Sequence, residues 1–232
     1  MHIVSNVFGI LIGSIFLLLS CGNSSESSQN MHKSMNTQTL HEAVSSGNKE
    51  MVLELLKMKP DLEERDASGR TPLMVATYNA DKEIAKILID AGADVNAQDN
   101  MLNSPFLYAG ASGYLDIVKW CLENGADFTV FNRYGGSALI PAAEKRHLEV
   151  VDLLVNTPGY PIDHINNLGW TALLEAIILG GKSKVQVEIV KTLVKGGSDV
   201  NIADKDGVSP LAHAKQRSMK EIQNILLEAG AK

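Results

Sequence analysis

The chain has 232 residues, 45% of them hydrophobic and 21% charged, with a formal net charge of −6. No block of Lys or Arg exceeds two residues, so the chain lacks the basic footprint that nucleic-acid binding requires. Its two cysteines, Cys21 and Cys121, stand far apart in different kinds of segment and make no disulfide framework.

Residues 1–20 read as a leader rather than as part of a fold. Val7 to Leu19 is an apolar run interrupted only by Gly9, Gly13 and Ser14, too short for a comfortable membrane span and suited to the core of a signal peptide. It leads into Leu18-Leu19-Ser20-Cys21, which resembles a bacterial lipobox. That resemblance implies cleavage before Cys21 and a diacylglyceryl group on its thiol, hence a lipid anchor on the extracytoplasmic side, periplasmic or at the cell surface. The segment Met1–Asn6 departs from the usual leader in carrying no Lys or Arg. Residues 21–38 are rich in Ser and Asn, cannot bury apolar surface, and are expected to form a flexible tether of at most ~55 Å.

From residue 39 a single pattern recurs. In 66–98 a turn at Asp66–Gly69 is followed by Thr71-Pro72, an N-cap hydroxyl with proline at the first helical position. Leu73 and Ala76 belong to a short apolar helix, broken at Asn79–Asp81. Ile84, Ile87, Leu88 and Ile89 then recur at the spacing of a second, amphipathic helix, which Gly92 ends. The expected caps Thr71, Ser104, Ser137, Thr171 and Ser209 follow one another at 33, 33, 34 and 38 residues. Six units result: 39–65, 66–98, 99–131, 132–165, 166–203 and 204–232. The first lacks the Gly-x-Thr-Pro opening and the last ends on a polar second helix, as terminal caps of a repeat array should. The fourth is one residue longer through Pro158-Gly159-Tyr160-Pro161. The fifth carries five extra residues within Gly180–Gln186, expected as a loop between its helices.

A period of 33 residues holding a turn and two helices, with Gly69-x-Thr71-Pro72-Leu73-x-x-Ala76 and Gly92-Ala93-Asp94-Val95-Asn96, resembles the ankyrin-repeat family over residues 38–232. The resemblance implies an all-α solenoid of about six helix-turn-helix units with short β-turn tips. It also implies a departure: the family's usual His after the Leu is replaced by Met74, Leu107, Ile140, Leu174 and Ala212. Apolar packing is then expected to take over the coupling that those histidines provide between units.

Residue chemistry offers little to catalysis. No two histidines share metal-ligand spacing and neither cysteine neighbours a histidine. Ser209 with His213 could be drawn as a nucleophile and base, but a capping role explains Ser209 better. Gly135-Gly136 and Gly180-Gly181 lack the lysine and the strand of a phosphate loop. Cys121 falls at a core position and is expected to be buried and inert. No enzymatic activity, cofactor or metal is expected.

By resemblance to the family, partner contacts come from the second, third and fifth positions of each tip and from the exposed side of each first helix. The candidate binding residues are Tyr78, Met101, Arg133, Tyr134, Leu168, Trp170 and Ile178, with Leu179 beside them, and most fall in units three to five. Exposed Trp, Tyr and Arg together are the side chains that dominate interface energetics. Trp170, Tyr134 and Arg133 are the expected anchors. The sequence therefore describes a monomeric, non-catalytic, lipid-tethered module that grips another protein. A cytoplasmic scaffold or regulator, and an inhibitor or immunity protein for an envelope-acting enzyme, are the competing readings.

Overall fold

Each pair of helices is too short to bury an apolar face alone, and the fold answers this by stacking six of them. The structure, a computed structural model, describes residues 38–232; Cys21, the leader and the expected tether fall on residues outside these. The helices are α1 (Leu40–Ser45), α2 (Lys49–Leu56), α3 (Pro72–Tyr78), α4 (Lys82–Asp90), α5 (Pro105–Ser112) and α6 (Leu115–Glu123). They continue with α7 (Leu139–Glu144), α8 (Leu148–Val155), α9 (Ala172–Ile178), α10 (Lys184–Lys195), α11 (Pro210–Gln216) and α12 (Lys220–Glu228). There is no β-strand among the described residues. The odd-numbered helices pack on one another in sequence, and so do the even-numbered ones, giving two helical layers with turns projecting at one side.

The seam between the layers is narrow because its residues are small. Ala43, Ala76, Ala109, Ala142, Ala176 and Ala214 stand at equivalent places in the first helices and are all fully buried. Around this column pack Leu73, Leu139, Leu173 and, from the second helices, Ile84, Leu88, Ile117, Leu154 and Ile189. Cys121 is part of this core, and burial pushes its thiol up to about 12, so the thiolate nucleophile is absent at ordinary pH.

Turn chemistry sets where each first helix begins. The side-chain oxygen Oδ1 of Asp66 accepts from the backbone N–H of Ser68 (2.8 Å) and of Arg70 (2.9 Å). Asp99 does the same for Met101 and Asn103, Asn132 for Tyr134 and Gly136, Asn166 for Leu168 and Trp170, and Asp204 for Asp206 and Val208. Five residues after four of these five side chains comes the helix cap. The Oγ1 of Thr71 and Thr171 and the Oγ of Ser104 accept from an N–H in the first turn at 3.2 Å, and the Oγ of Ser209 does so at 3.3 Å.

Two sequence expectations need correction here. Ser137 does not cap α7: the helix starts at Leu139, and the Leu139 N–H donates instead to the Tyr160 hydroxyl at 3.1 Å. Tyr160 comes from the longer exit of unit four, so the extra residue there carries a replacement for the missing cap. The insertion in unit five is only partly a loop. Ser183 caps a helix that begins at Lys184, and α10 is 12 residues long. Gln186, fully buried in that added turn, donates to the Ala143 carbonyl at 3.2 Å and to the Ala176 carbonyl at 2.9 Å.

Coupling between units is also more polar than the motif suggested. The Arg65 guanidinium donates to the carbonyl of Gly69 in the next tip and to that of Gln98 one unit on. Gln98 repeats the arrangement with the carbonyls of Leu102 and Phe131, both at 2.8 Å. At the helix exits Glu63 accepts from the Asp94 N–H and Asn96 from the Asp127 N–H, each at 2.8 Å; Asp163 accepts from the Asp199 N–H at 3.1 Å. These side chains satisfy backbone groups that irregular exits would otherwise leave open. The apolar packing expected to couple the units is thus joined by polar bonds across their junctions.

The stacking of α5 on unit four leaves no room at Gly110, where an added Cβ would lie 2.7 Å from the Ala138 Cβ and 3.2 Å from its carbonyl oxygen. Gly110→Ala should destabilise the chain by roughly 1–3 kcal/mol despite the better helix propensity of alanine. Urea denaturation followed by circular dichroism measures this, and a midpoint at or above that of the wild type would contradict the packing described.

Candidate functional site

Fixing the tip and the cap also fixes what the first helix presents outside the core. Nine residues after each tip side chain come Val75, Tyr108, Pro141, Glu175 and His213. Three of these, Tyr108, Pro141 and Glu175, line a groove of about 380 Å³ that runs below the tips of units three to five. Arg133, Tyr134 and Leu168 form its upper edge, Glu144 and Lys145 its lower one, and Asn103, Asn132 and Asn166 stand at the tip bases.

The seven expected contact residues divide into three groups. Arg133, Tyr134 and Leu168 line the groove. Tyr134 and Leu168 are 57% and 53% exposed, and Met101, at the same tip position one unit earlier, is 48% exposed. They form a row of large apolar groups, one from each of three successive tips. Arg133 ties that row together: its guanidinium lies 4.8 Å from the Tyr134 ring centroid, donates to the Tyr134 hydroxyl at 2.8 Å, and reaches the Met101 sulfur at 3.5 Å. Tyr78 is half-buried and occupied within the fold. Its hydroxyl donates to Asp99 Oδ2 at 2.7 Å and accepts from the Asn103 amide, and its ring lies tilted by 52° against that of Tyr108, centroids 4.2 Å apart. Trp170 and Ile178 are half-buried and do not line the groove. The amide and carbonyl of Trp170 close its own tip by bonding Asn166.

The acidic end of the groove was not singled out by the sequence. Glu175 is 7% exposed, and its Oε2 has no hydrogen-bond partner. Burial first, then the nearby Glu144 charge, raise its carboxyl to about 7, with the Asn166 side chain partly offsetting them. A glutamate in place of an apolar residue nine positions after a tip, inside the run Ala172-Leu173-Leu174-Glu175-Ala176-Ile177, was the available signal. On the far side of α9, His213 is bound to Asp204 Oδ2 at 2.6 Å and accepts from Arg217. Ser209 is used as a cap, so the structure does not assemble Ser209 and His213 into a nucleophile and base. Among the described residues no group of three or more His, Cys, Asp or Glu is placed to hold a metal ion.

The family model described as ankyrin repeats in three copies matches residues 2–99 and 106–204. The chain belongs to the ankyrin-repeat family. Among solved structures it is similar to an ankyrin repeat domain from Acinetobacter baumannii AYE, with 51% identity and a TM-score of 0.81 over 83% of this chain and 98% of that one. Another ankyrin repeat protein of known structure shares 42% identity, with a TM-score of 0.79 over 82% of this chain and 96% of that one. The ankyrin repeat domain of Bcl-3, described as a unique member of the IkappaB protein family, is 26% identical with a TM-score of 0.75, over 84% of this chain and 88% of that one. In sequence the chain is 40% identical over 99 residues to the ankyrin repeat protein YahD of Escherichia coli (strain K12), which is 43% of this chain. It is 33% identical over 84 residues, 36% of this chain, to an ankyrin repeat protein of Rickettsia felis. The matched part spans 49% of the first relative and 21% of the second. Ankyrin repeats are protein-interaction modules, and the tips and first helices above are where such a module presents variable side chains.

The Glu175 carboxyl makes the stability of the ankyrin array depend on pH. Its folded-state value, about 7, lies above its ordinary value of 4.5, so the folded state holds a proton that the unfolded state releases. Its contribution is fully present below the unfolded value and is lost as pH rises through the folded one. Chemical denaturation should show a stability component that declines from about pH 4.5 to about pH 7. The Glu175→Gln variant should lack this component; equal pH profiles for the two proteins would contradict the assignment.

Proposed function

We propose that this ankyrin-repeat chain is a non-catalytic binding module that is held by a lipid on Cys21 at the extracytoplasmic side of a bacterial membrane and grips a protein partner across the tips of units three to five. The observation that carries the binding half is the row of Met101, Tyr134 and Leu168. Three large apolar side chains about half exposed, one on each of three successive tips, have no role in closing those tips, because backbone bonds to Asp99, Asn132 and Asn166 do that. Such a patch above an open groove is what a partner would cover. In this reading Arg133 and Tyr134 are the central anchors, Leu168 and Met101 extend the patch, and Tyr78, Trp170 and Ile178 support its rim.

The tethering half rests on the apolar run that meets Cys21 and on the Ser- and Asn-rich stretch after it. No helix among the described residues is long and apolar enough to cross a membrane. The mode of action is steric: a stacked array holds a folded partner or shields its working surface without changing it chemically.

Tyr134→Ala should weaken partner binding by ~2 kcal/mol or more while leaving thermal unfolding of the array unchanged, because the ring is exposed. Trp170→Ala should have the smaller effect. The comparison is made by crosslinking tagged full-length protein in its own host and quantifying the dominant partner captured by each variant. Identical capture by wild type and Tyr134→Ala would remove the tip row from consideration. Independently, metabolic palmitate labelling should mark the wild-type chain and be lost in Cys21→Ser; label retained in the variant would overturn the anchor.

A further inference from the structure

The groove below the tips holds a feature that packing does not explain. Oε2 of Glu175 is buried without a hydrogen-bond partner, yet it lies in the wall of an open groove. A buried acceptor left without a partner is costly, and more so when charged. Glu144 lines the same groove, so the wall concentrates two carboxyls. The two cations that line it do not relieve this. The Arg133 guanidinium is engaged by the Tyr134 ring and hydroxyl and by the Met101 sulfur. Lys145 is exposed and has no ion pair among the described residues. From the α11 side the nearest charged groups, Asp204, His213 and Arg217, are bonded to one another.

The remaining walls define the shape of what could fill the site. Tyr108 and Tyr134 supply ring faces, and Ile140, Pro141 and Leu168 supply aliphatic surface. A long side chain with an apolar stem and a cationic head matches all three elements at once: stem along the aliphatic wall, head near the rings, charge at the carboxyls.

We infer that the groove is a subsite for a basic side chain, arginine or lysine, projecting from an otherwise extended segment of the protein partner, with Glu175 as its principal counter-charge and Glu144 as the second. This deepens the binding reading above and rests on it. In the free protein burial and the Glu144 charge raise the Glu175 carboxyl to about 7, so it readily holds a proton where that cation would sit. Seating a guanidinium or an ammonium displaces the proton, and occupancy is therefore favoured as pH rises.

The probe is N-acetyl-arginine amide, with N-acetyl-citrulline amide as its uncharged analogue of the same shape. The full chain, labelled with carbon-13 at glutamate carboxyls, is titrated with each and followed by NMR. The arginine compound should give a saturable shift at the Glu175 carboxyl, and citrulline none. Proton competition at a group titrating near 7 should weaken arginine binding at least about tenfold between pH 8 and pH 5. Glu175→Gln, which keeps the shape of the side chain, should lose the preference for arginine over citrulline; its circular dichroism confirms that it remains folded. Equal shifts from both compounds, no saturable shift from either, or an unchanged preference in Glu175→Gln would each overturn the subsite. None of these would touch the binding reading, which fails instead if Tyr134→Ala captures its partner as well as wild type does.

Discussion

One oxygen at the head of each tip organises the repeat. Asp66, Asp99, Asn132, Asn166 and Asp204 each hold two backbone N–H groups of the turn that follows. Asp and Asn suit this position because a short side chain can mimic a backbone carbonyl and close a turn on itself. Once the turn is closed, the chain reaches the helix start with little freedom, and everything further along the first helix inherits its direction. The buried alanine column and the side chains lining the groove are thus both consequences of the same bond. A tip that opened would rotate both together.

Stacking adds a second requirement, that backbone groups at each junction find partners. Where the repeat supplies Arg65 and Gln98, long side chains reach from one unit to carbonyls of the next. At the equivalent places in later units stand Phe131 and Ile165, which cannot donate. His164 acts there in another way: its ring lies parallel to that of Phe131 of unit three, 4.0 Å away, while its Nε2 donates to the Gly135 carbonyl of its own unit at 2.6 Å. His41 of unit one donates to the Arg70 carbonyl of unit two. Polar coupling between units thus comes from positions other than the one after the motif leucine.

The period, the caps at Thr71, Ser104, Thr171 and Ser209, and the placement of Cys121 in the core were legible because each depends on residues near in sequence. Ser137 was misleading for the opposite reason. The group that replaces it, the Tyr160 hydroxyl, lies 21 residues away and reaches Leu139 only through the fold. The extra residues of unit five were counted correctly but taken for a loop, since Gly180-Gly181 hides a helix start that Ser183 supplies. Within the groove, residue type was a partial guide. Arg133, Tyr134 and Leu168 line the groove and Trp170 does not; a tryptophan next to a turn does not reveal which way its ring points. Glu175 was passed over because its sequence signal, a charge inside the apolar run Ala172–Ile177, does not reveal how deeply the carboxyl is buried.

Gln186 has a consequence for how freely this array can vary. Repeat arrays ordinarily lengthen, shorten and exchange units, since each touches only its neighbours through a common interface. The junction between the fourth and fifth units is not of that common kind. A side chain from an added helical turn is inserted between α7 and α9 and bonds a carbonyl on each, while Arg146 of unit four donates to the Gly180 carbonyl at 3.0 Å. Neither bond has a counterpart in a unit of ordinary length. The fourth and fifth units are thus matched halves of one joint, and exchanging either for a unit of ordinary length would leave Gln186 or Arg146 without the carbonyl it bonds.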